Sequence, residues 1–290
     1  MAGGGIHLYN LDPDQTLNEM TFAVFDVETT GLSPAYGHRV CEVACLRVRG
    51  GVEEGRFASL VDPGRPISEG AFRVNHITPE MLVGAPAFEI VAGPLLEMMA
   101  GAVLVAHNAP FDLGFLAAEL EIAQLPPPEG PVVDTLALSR RAYGFAHNNL
   151  SAVAAALAVE TGPAHRAMGD VGTTRRVLER MLWDLDRRWS VTTLDQLIIF
   201  QGGPIPYPHP CALPLPPAIA EALEGRGRVW MRYVDADGRE TTRAVRPIRV
   251  HEWQGNLYLV AHCYRAGELR TFRLDRVVEM SLETPTGEQR

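Results

Sequence analysis

The chain contains no lysine: all 26 of its basic residues are arginine. A coding bias is the favoured reading of this preference over a functional one, and its physical consequence is that every cation can grip a carboxylate or phosphate through two parallel N–H donors. Positive charge is also short overall, with a formal net charge of −9. That balance argues against broad, non-specific coating of nucleic acid. Cysteines number four, at 41, 45, 211 and 263, with no C-x-x-C pair and no zinc spacing to histidine. Cys41 and Cys45 fall in an apolar, strand-like run and read as packing residues; all four are expected to be reduced. No apolar run approaches the ~20 residues that span a bilayer, so no membrane partner is expected. The start, MAGGGIHLYNLDPDQ, has neither a basic stretch nor an apolar core. No signal peptide is expected there, and the expected address is the cytoplasm.

What is present is an ordinary globular composition, 47% hydrophobic and 21% charged, over 290 residues. That length allows two domains. The stretch that organises the chain is FAVFDVETTGL, residues 22–32. Phe22 to Phe25 read as a buried strand, which then delivers Asp26 and Glu28 at i and i+2. On a strand that spacing puts both carboxylates on one face. Two like charges side by side are costly unless a cation sits between them. The reading is a divalent-metal site with hard oxygen ligands suited to Mg²⁺ or Mn²⁺, against the alternative of a strand whose acids face solvent.

Residues 1–18 read as an N-terminal arm. Residues 39–49 and 55–61 read as strands joined through Gly50-Gly51, residues 62–77 as loop, and 79–83 and 87–99 as helices after the cap Thr78-Pro79-Glu80. A strand over 102–107 ends in HNAPFD, residues 107–112, with a helix over 111–123. Residues 132–134 read as a short strand or the start of a helix running to Arg141. Residues 149–158 read as a helix, and the apolar spacing of HRAMGDVGTTRRVLERMLWDL, 165–185, predicts another. Strands and helices in this order suit a mixed α/β sheet with helices against it.

Residues 201–217 hold seven prolines in seventeen residues, which no strand or helix survives. This stretch is expected to be a linker between domains at 19–200 and 218–285. Charge changes across it: residues 1–215 hold 14 Arg against 24 acids, net −10, and residues 216–290 hold 12 Arg against 11 acids, net +1. Alternating runs at 228–235, 240–253, 256–264 and 269–283 predict a small antiparallel β domain, with a barrel as one form of it.

Asp26 and Glu28 need partners to hold two metals. Asp112, at a helix start, and Asp170, on the helix beginning near His165, are the candidates. His165 precedes Asp170 by little more than one turn, which could set an imidazole beside the site; a surface histidine is the alternative. In order and spacing, FDVETTG (25–31), HNAPFD (107–112) and HRAMGD (165–170) resemble the three motifs of the DEDDh exonuclease family. Its members include the proofreading epsilon subunit of bacterial DNA polymerase III. VNHITPEML (74–82) and DTLALSRR (134–141) are similar to that family's connecting segments, so the resemblance covers about residues 20–186. It implies an RNase H-like fold, two Mg²⁺ or Mn²⁺ ions held by Asp26, Glu28, Asp112 and Asp170, His165 as general base, and 3′-to-5′ removal of nucleotides from nucleic-acid ends. In that reading Thr29 and Thr30 meet the terminal nucleotide, and Asn108 and Phe111 contact its sugar or base, with core packing the alternative for Phe111.

The run RPIRVHEWQGNLYLVAHCYRAGELRTFRLDRV, 246–277, resembles a WYL domain, a small SH3-like β module, over about 218–284. Leu257 stands where that family's name motif has tryptophan. The resemblance implies binding of nucleic acid, a nucleotide-like ligand or a protein partner, with Tyr258, Arg270, Arg273 and Arg276 as the candidate contacts. Internal pairing of those arginines with Glu268, Asp275 and Glu279 is the alternative. The expected whole is an RNase H-like mixed-sheet exonuclease domain followed by an SH3-like antiparallel module, acting in DNA repair or nucleic-acid processing. DNA is favoured over RNA. The rivals are an RNase of the same superfamily and a ligand-sensing regulator with a nuclease-like fold.

Overall fold

The computed structural model describes residues 15–34, 37–162, 165–207, 216–225, 227–235, 238–253 and 256–282. Most of the expected N-terminal arm and the middle of the proline linker lie outside these residues. The chain divides into two compact units, one of residues 1–30, 39–67 and 71–210, the other of residues 31–38, 68–70 and 211–290.

The larger unit is built on a five-stranded sheet. Its strands are β1 (Thr21–Thr29), β2 (Val40–Arg49), β3 (Val52–Leu60), β4 (Val103–Ala106) and β5 (Val132–Asp134), in the order β3-β2-β1-β4-β5. β1, β2 and β3 pair antiparallel, while β4 and β5 run parallel to β1. Gly50 and Gly51 alone join β2 to β3, both at positive φ (56° and 76°), the conformation that a two-residue hairpin matched to strand twist requires. β3 therefore starts three residues earlier than the sequence pattern suggests, because its solvent-facing first half carries no apolar alternation.

Strand alternation sorts the core into two layers. Phe22 and Val24 of β1 with Ala44, Leu46 and Val48 of β2 face one layer, made with α4 (Thr135–Ala142), α5 (Leu150–Ala156), α6 (Ala167–Trp189) and α7 (Leu194–Gln201). Ala23, Phe25 and Val27 face the other, made with α2 (Phe88–Met99) and α3 (Ala109–Ile122). Of the positions 171, 177, 178, 181, 182 and 185 that carry the helical period in the sequence, α6 buries Val171, Val177, Leu178, Met181 and Leu185, while Leu182 is partly buried against the same core. Two short elements depart from expectation: α1 (Glu69–Asn75) falls in a stretch that reads as loop, and Pro79–Leu82 is a 3-10 turn capped by Thr78.

The start of the proline-rich stretch is tied to this unit. Gln201 donates to Val132 O (2.9 Å) and accepts from Asp134 N (3.0 Å), and Ile205 and Tyr207 pack against the α2/α3 core layer. Proline density predicts the loss of regular structure there but not the side-chain anchoring.

The smaller unit is an antiparallel sheet of β6 (Val229–Val234), β7 (Glu240–Trp253), β8 (Asn256–Cys263), β9 (Glu268–Arg273) and β10 (Val277–Leu282), in the order β10-β6-β7-β8-β9. α8 (Pro217–Gly225) contributes Ile219 and Ala222 to a core with Val229, Met231, Val245, Leu259, Ala261 and Phe272. Among the described residues no helix is long and apolar enough to cross a membrane.

Candidate active site

Alternation carries Asp26 and Glu28 onto the same face of β1 as Phe22 and Val24, the face that α6 covers. α6 begins one residue after Arg166 and presents Asp170 in its first turn. The result is a cluster: one carboxylate oxygen from each of Asp26, Glu28 and Asp170 lies within 4.8 Å of the others. Burial and neighbouring charge both raise these three partly buried acids. Asp26 is raised well above the usual carboxylate range by burial and then by Asp112, Glu28 and Asp170. Glu28 is pushed up to about 8 by burial, Asp170 and Glu42, with Arg166 and Asn75 opposing. Burial also raises Asp170, against a hydrogen bond from a backbone amide. Oxygen donors gathered at such a cost fit a hard divalent cation, which relieves the repulsion by replacing protons.

Asp112 enters from the other side. α3 belongs to the opposite core layer, so its first turn reaches around the strand rather than onto the α6 face. β4 pairs with β1 only from Phe22 to Val24. Beyond that, the Val27 amide donates to Asp112 Oδ1 at 3.1 Å. Asp112 is 3% exposed and pushed up to about 8 by burial, which this backbone bond opposes. It stands beside Asp26 as the strongest of the neighbouring charges, outside the close group of three.

His165 is exposed, at φ 59°, just before α6. Its backbone amide donates to Asp170 Oδ2 at 3.0 Å, which fixes the histidine's backbone to the acid while leaving the ring outside the core. The other sequence candidates divide. Asn108 is exposed, in the left-handed region (φ 74°, ψ 48°), and donates from its backbone to Asp134 Oδ1 at 2.8 Å. Phe111 is partly buried, its ring 5.1 Å from that of Phe115, so one side of it is committed to packing. Thr29 and Thr30 are buried, and the Thr30 hydroxyl accepts from Arg39 N at 3.0 Å, closing the base of the loop that follows β1.

The site also contains residues that sequence reading passed over. Glu42 of β2 is the cross-strand partner of Glu28, and it receives the Arg166 guanidinium and the Ala167 amide. An acid inside the apolar run RVCEVACL was the available signal. Arg39 donates through Nε and Nη2 to both oxygens of Glu119, each at 2.7 Å, and so fastens α3 to the start of β2.

In the smaller unit the candidate residues fall on two faces. Tyr258 and Arg273 are cross-strand partners on β8 and β9, opposite by alternation to the core residues Leu259 and Phe272. Arg246 and His262 are partners on the same outward face. Arg270 lies on the Phe272 side, exposed at the edge strand, with Glu268 Oε1 2.6 Å away. Arg276 sits in a 3-10 turn, Leu274–Arg276, which breaks the alternation after β9.

The mixed sheet and its acid cluster form the candidate site, and comparison with known proteins shows the family. The chain belongs to the exonuclease family whose model, RNase_T exonuclease, matches residues 23–178, and a WYL domain model matches residues 215–282. The "DNA polymerase III PolC-type" protein of Bacillus cereus is 37% identical over 186 residues, 64% of this chain and 13% of that protein. The same-named protein of Halalkalibacterium halodurans is 38% identical over 182 residues, 62% of this chain and again 13% of the relative. The chain therefore spans about an eighth of the length of these relatives. Among solved structures, the nuclease domain of 3′hExo, a DEDDh family member bound to rAMP, superposes with a TM-score of 0.51 at 17% identity, covering 59% of this chain and 95% of that one. E. coli Exonuclease I in complex with a dT13 oligonucleotide gives 0.53 at 16% identity, covering 83% and 55%. At such identities these two show a shared fold.

Proposed function

We propose that this protein is a divalent-metal-dependent exonuclease that removes nucleotides from the 3′ ends of nucleic acid, DNA in preference to RNA. The observation that carries the reading is the convergence of Asp26, Glu28 and Asp170, with Asp112 beside them. These carboxylates would hold two ions, Mg²⁺ or Mn²⁺, which supply Lewis-acid activation of water and charge stabilisation on the phosphate.

The chain's own groups do the rest. His165 stands outside the core one turn before Asp170, where its ring is open to water, and accepts the proton of the attacking water. Arg166 keeps its guanidinium on Glu42 and offsets part of the negative charge beside Glu28. The exposed Asn108 and the half-buried Phe111 lie at the start of α3, next to Asp112, where they contact the terminal nucleotide. Preference for DNA is supported by the identity to PolC-type DNA polymerases. A role in DNA repair or nucleic-acid processing follows from the same reading.

The smaller unit binds a nucleic-acid backbone or nucleotide ligand through its outward face. Tyr258 offers a stacking surface there beside Arg273, with Arg246 and His262 on the neighbouring pair. Single-stranded DNA, duplex DNA and RNA, each labelled at either end, test the whole proposal with Mg²⁺, Mn²⁺ or EDTA. Mononucleotide release from the 3′ end that needs metal and is fastest on DNA is the expected result.

A further inference from the structure

Glu42 is an acid where β2 calls for an apolar side chain. It shares the α6-facing side of β2 with Ala44, Leu46 and Val48, and its side chain is 7% exposed. Directly across the ladder stands Glu28. Two like charges facing each other on adjacent strands destabilise the sheet, and neither is fully released to water here.

The compensation comes from a third element. Arg166 Nη2 lies 2.8 Å from Glu42 Oε1, and Arg166 Nε lies 3.1 Å from Oε2. The Ala167 amide donates to the same Oε2 at 3.1 Å. Arg166 holds the N-cap position of α6 and makes no side-chain cap bond of its own. Glu42 therefore supplies from a neighbouring strand the acceptor that the helix end lacks, and its charge suits the positive end of the helix.

This attachment falls inside the segment that matters for chemistry. Arg166 and Ala167 are flanked by His165 on one side and, a turn later, by Asp170 on the other. His165 and Asp170 are themselves joined by the bond from the His165 amide. We propose that Glu42 and Arg166 are positioning residues: together they set the register of the His165–Asp170 segment against Asp26 and Glu28, so that Asp170 reaches the carboxylate cluster. This rests on the exonuclease reading and extends it to how the site is assembled. Neither residue touches the reacting atoms; Glu42 acts through the helix end, and Arg166 acts through Glu42.

The test uses the full-length chain carrying Glu42→Gln, Arg166→Gln, both together, or Arg166→Lys. Turnover and KM are measured on 3′-labelled single-stranded DNA. Mn²⁺ affinity is measured by calorimetry without substrate, and the thermal midpoint by melting. Partners that orient ligands typically cost about 10–100-fold in metal affinity or activity when removed. A loss of that size is expected in turnover and Mn²⁺ affinity for each single variant, with KM little changed. The double variant should be no worse than the worse single, since the two residues act as a unit. Arg166→Lys should fall with Arg166→Gln, because lysine keeps the charge and lacks the fork.

Wild-type turnover and Mn²⁺ affinity in Glu42→Gln would overturn the proposal. So would losses that multiply in the double variant, or a lowered thermal midpoint with turnover and Mn²⁺ affinity intact. Should Glu42→Gln fail to fold, Glu42→Asp replaces it and should weaken both readouts by withdrawing the carboxylate from the Ala167 amide; unchanged readouts there count against the pair. Should the wild type cleave no nucleic acid, the exonuclease reading fails, and the Mn²⁺ affinities still decide the positioning claim in the same sense.

Discussion

The amide of Val27, the residue between the two acids of β1, donates to the carboxylate of Asp112 on α3 at 3.1 Å. One hydrogen bond thus joins the first and second motif segments across the end of β4. It also separates two roles of Asp112: accepting a buried donor and adding negative charge near Asp26.

Asp112→Asn and Asp112→Ala should therefore behave differently. The asparagine keeps an acceptor for Val27 and removes the charge, so the protein should melt near the wild-type temperature and lose exonuclease activity. The alanine leaves a buried amide unpaired, which costs about 1–3 kcal/mol in addition. Paired melting curves and end-label assays read this out; equal stability of the two variants would contradict the assignment of the bond.

Stability without metal should fall as pH rises. Glu28 and Asp112 are each pushed up to about 8 in the folded chain, while unfolded carboxyls titrate near 4. Between those values the folded chain holds more protons than the unfolded one, so the slope of unfolding free energy with pH is negative. The contribution is present below the unfolded value and is lost as pH climbs through the folded one. Melting in EDTA across that window should show the decline. Asp26→Asn should flatten it, and Mg²⁺ should reverse it at the alkaline end. An identical slope in Asp26→Asn would show that the cluster is not its source.

Removal of the imidazole isolates the proposed base. His165→Ala should lower turnover by ~10²-fold or more while Mn²⁺ binding persists, because a positioned general base contributes on that order. The acidic limb of the pH–rate profile should change with it. An unchanged profile would assign the proton to another acceptor.

Much of the candidate site's placement was legible in the sequence because two periodicities encode it. Asp26 and Glu28 share a strand face at i and i+2, and the buried stripe Val171, Val177, Leu178, Met181 and Leu185 announces α6 and places Asp170 at its start. What was not legible depends on register between distant segments. Nothing local tells that Glu42 falls opposite Glu28, or that α3 lies on the far side of the sheet so that Asp112 meets the Val27 amide. α7 went unread beside the prolines, although its capping box at Thr193 and Gln196 was a usable signal. In the smaller unit, pairing with β8 was needed to set Arg273 beside Tyr258.

That pairing puts Arg273 and Arg270 on opposite faces of β9, and the proposed binding through the outward face then distinguishes them. In a cleavage-inactive Asp26→Asn background, Arg273→Ala with Tyr258→Ala should weaken binding of single-stranded DNA. Each lost phosphate contact should reduce the log–log salt slope by about 0.7. Arg270→Ala, which removes an exposed partner of Glu268, should change little. Titrations at several salt concentrations measure both; equal effects of Arg270→Ala and Arg273→Ala would contradict binding through the outward face.

The most direct measurement is release of mononucleotides from a 3′-end-labelled single strand by the full-length protein, with Mg²⁺ and with EDTA, beside the Asp26→Asn variant at matched folding. The account predicts labelled mononucleotide as the first product with Mg²⁺, none with EDTA, and none from Asp26→Asn. Full activity in EDTA or in Asp26→Asn would contradict it, as would first release of label from the 5′ end.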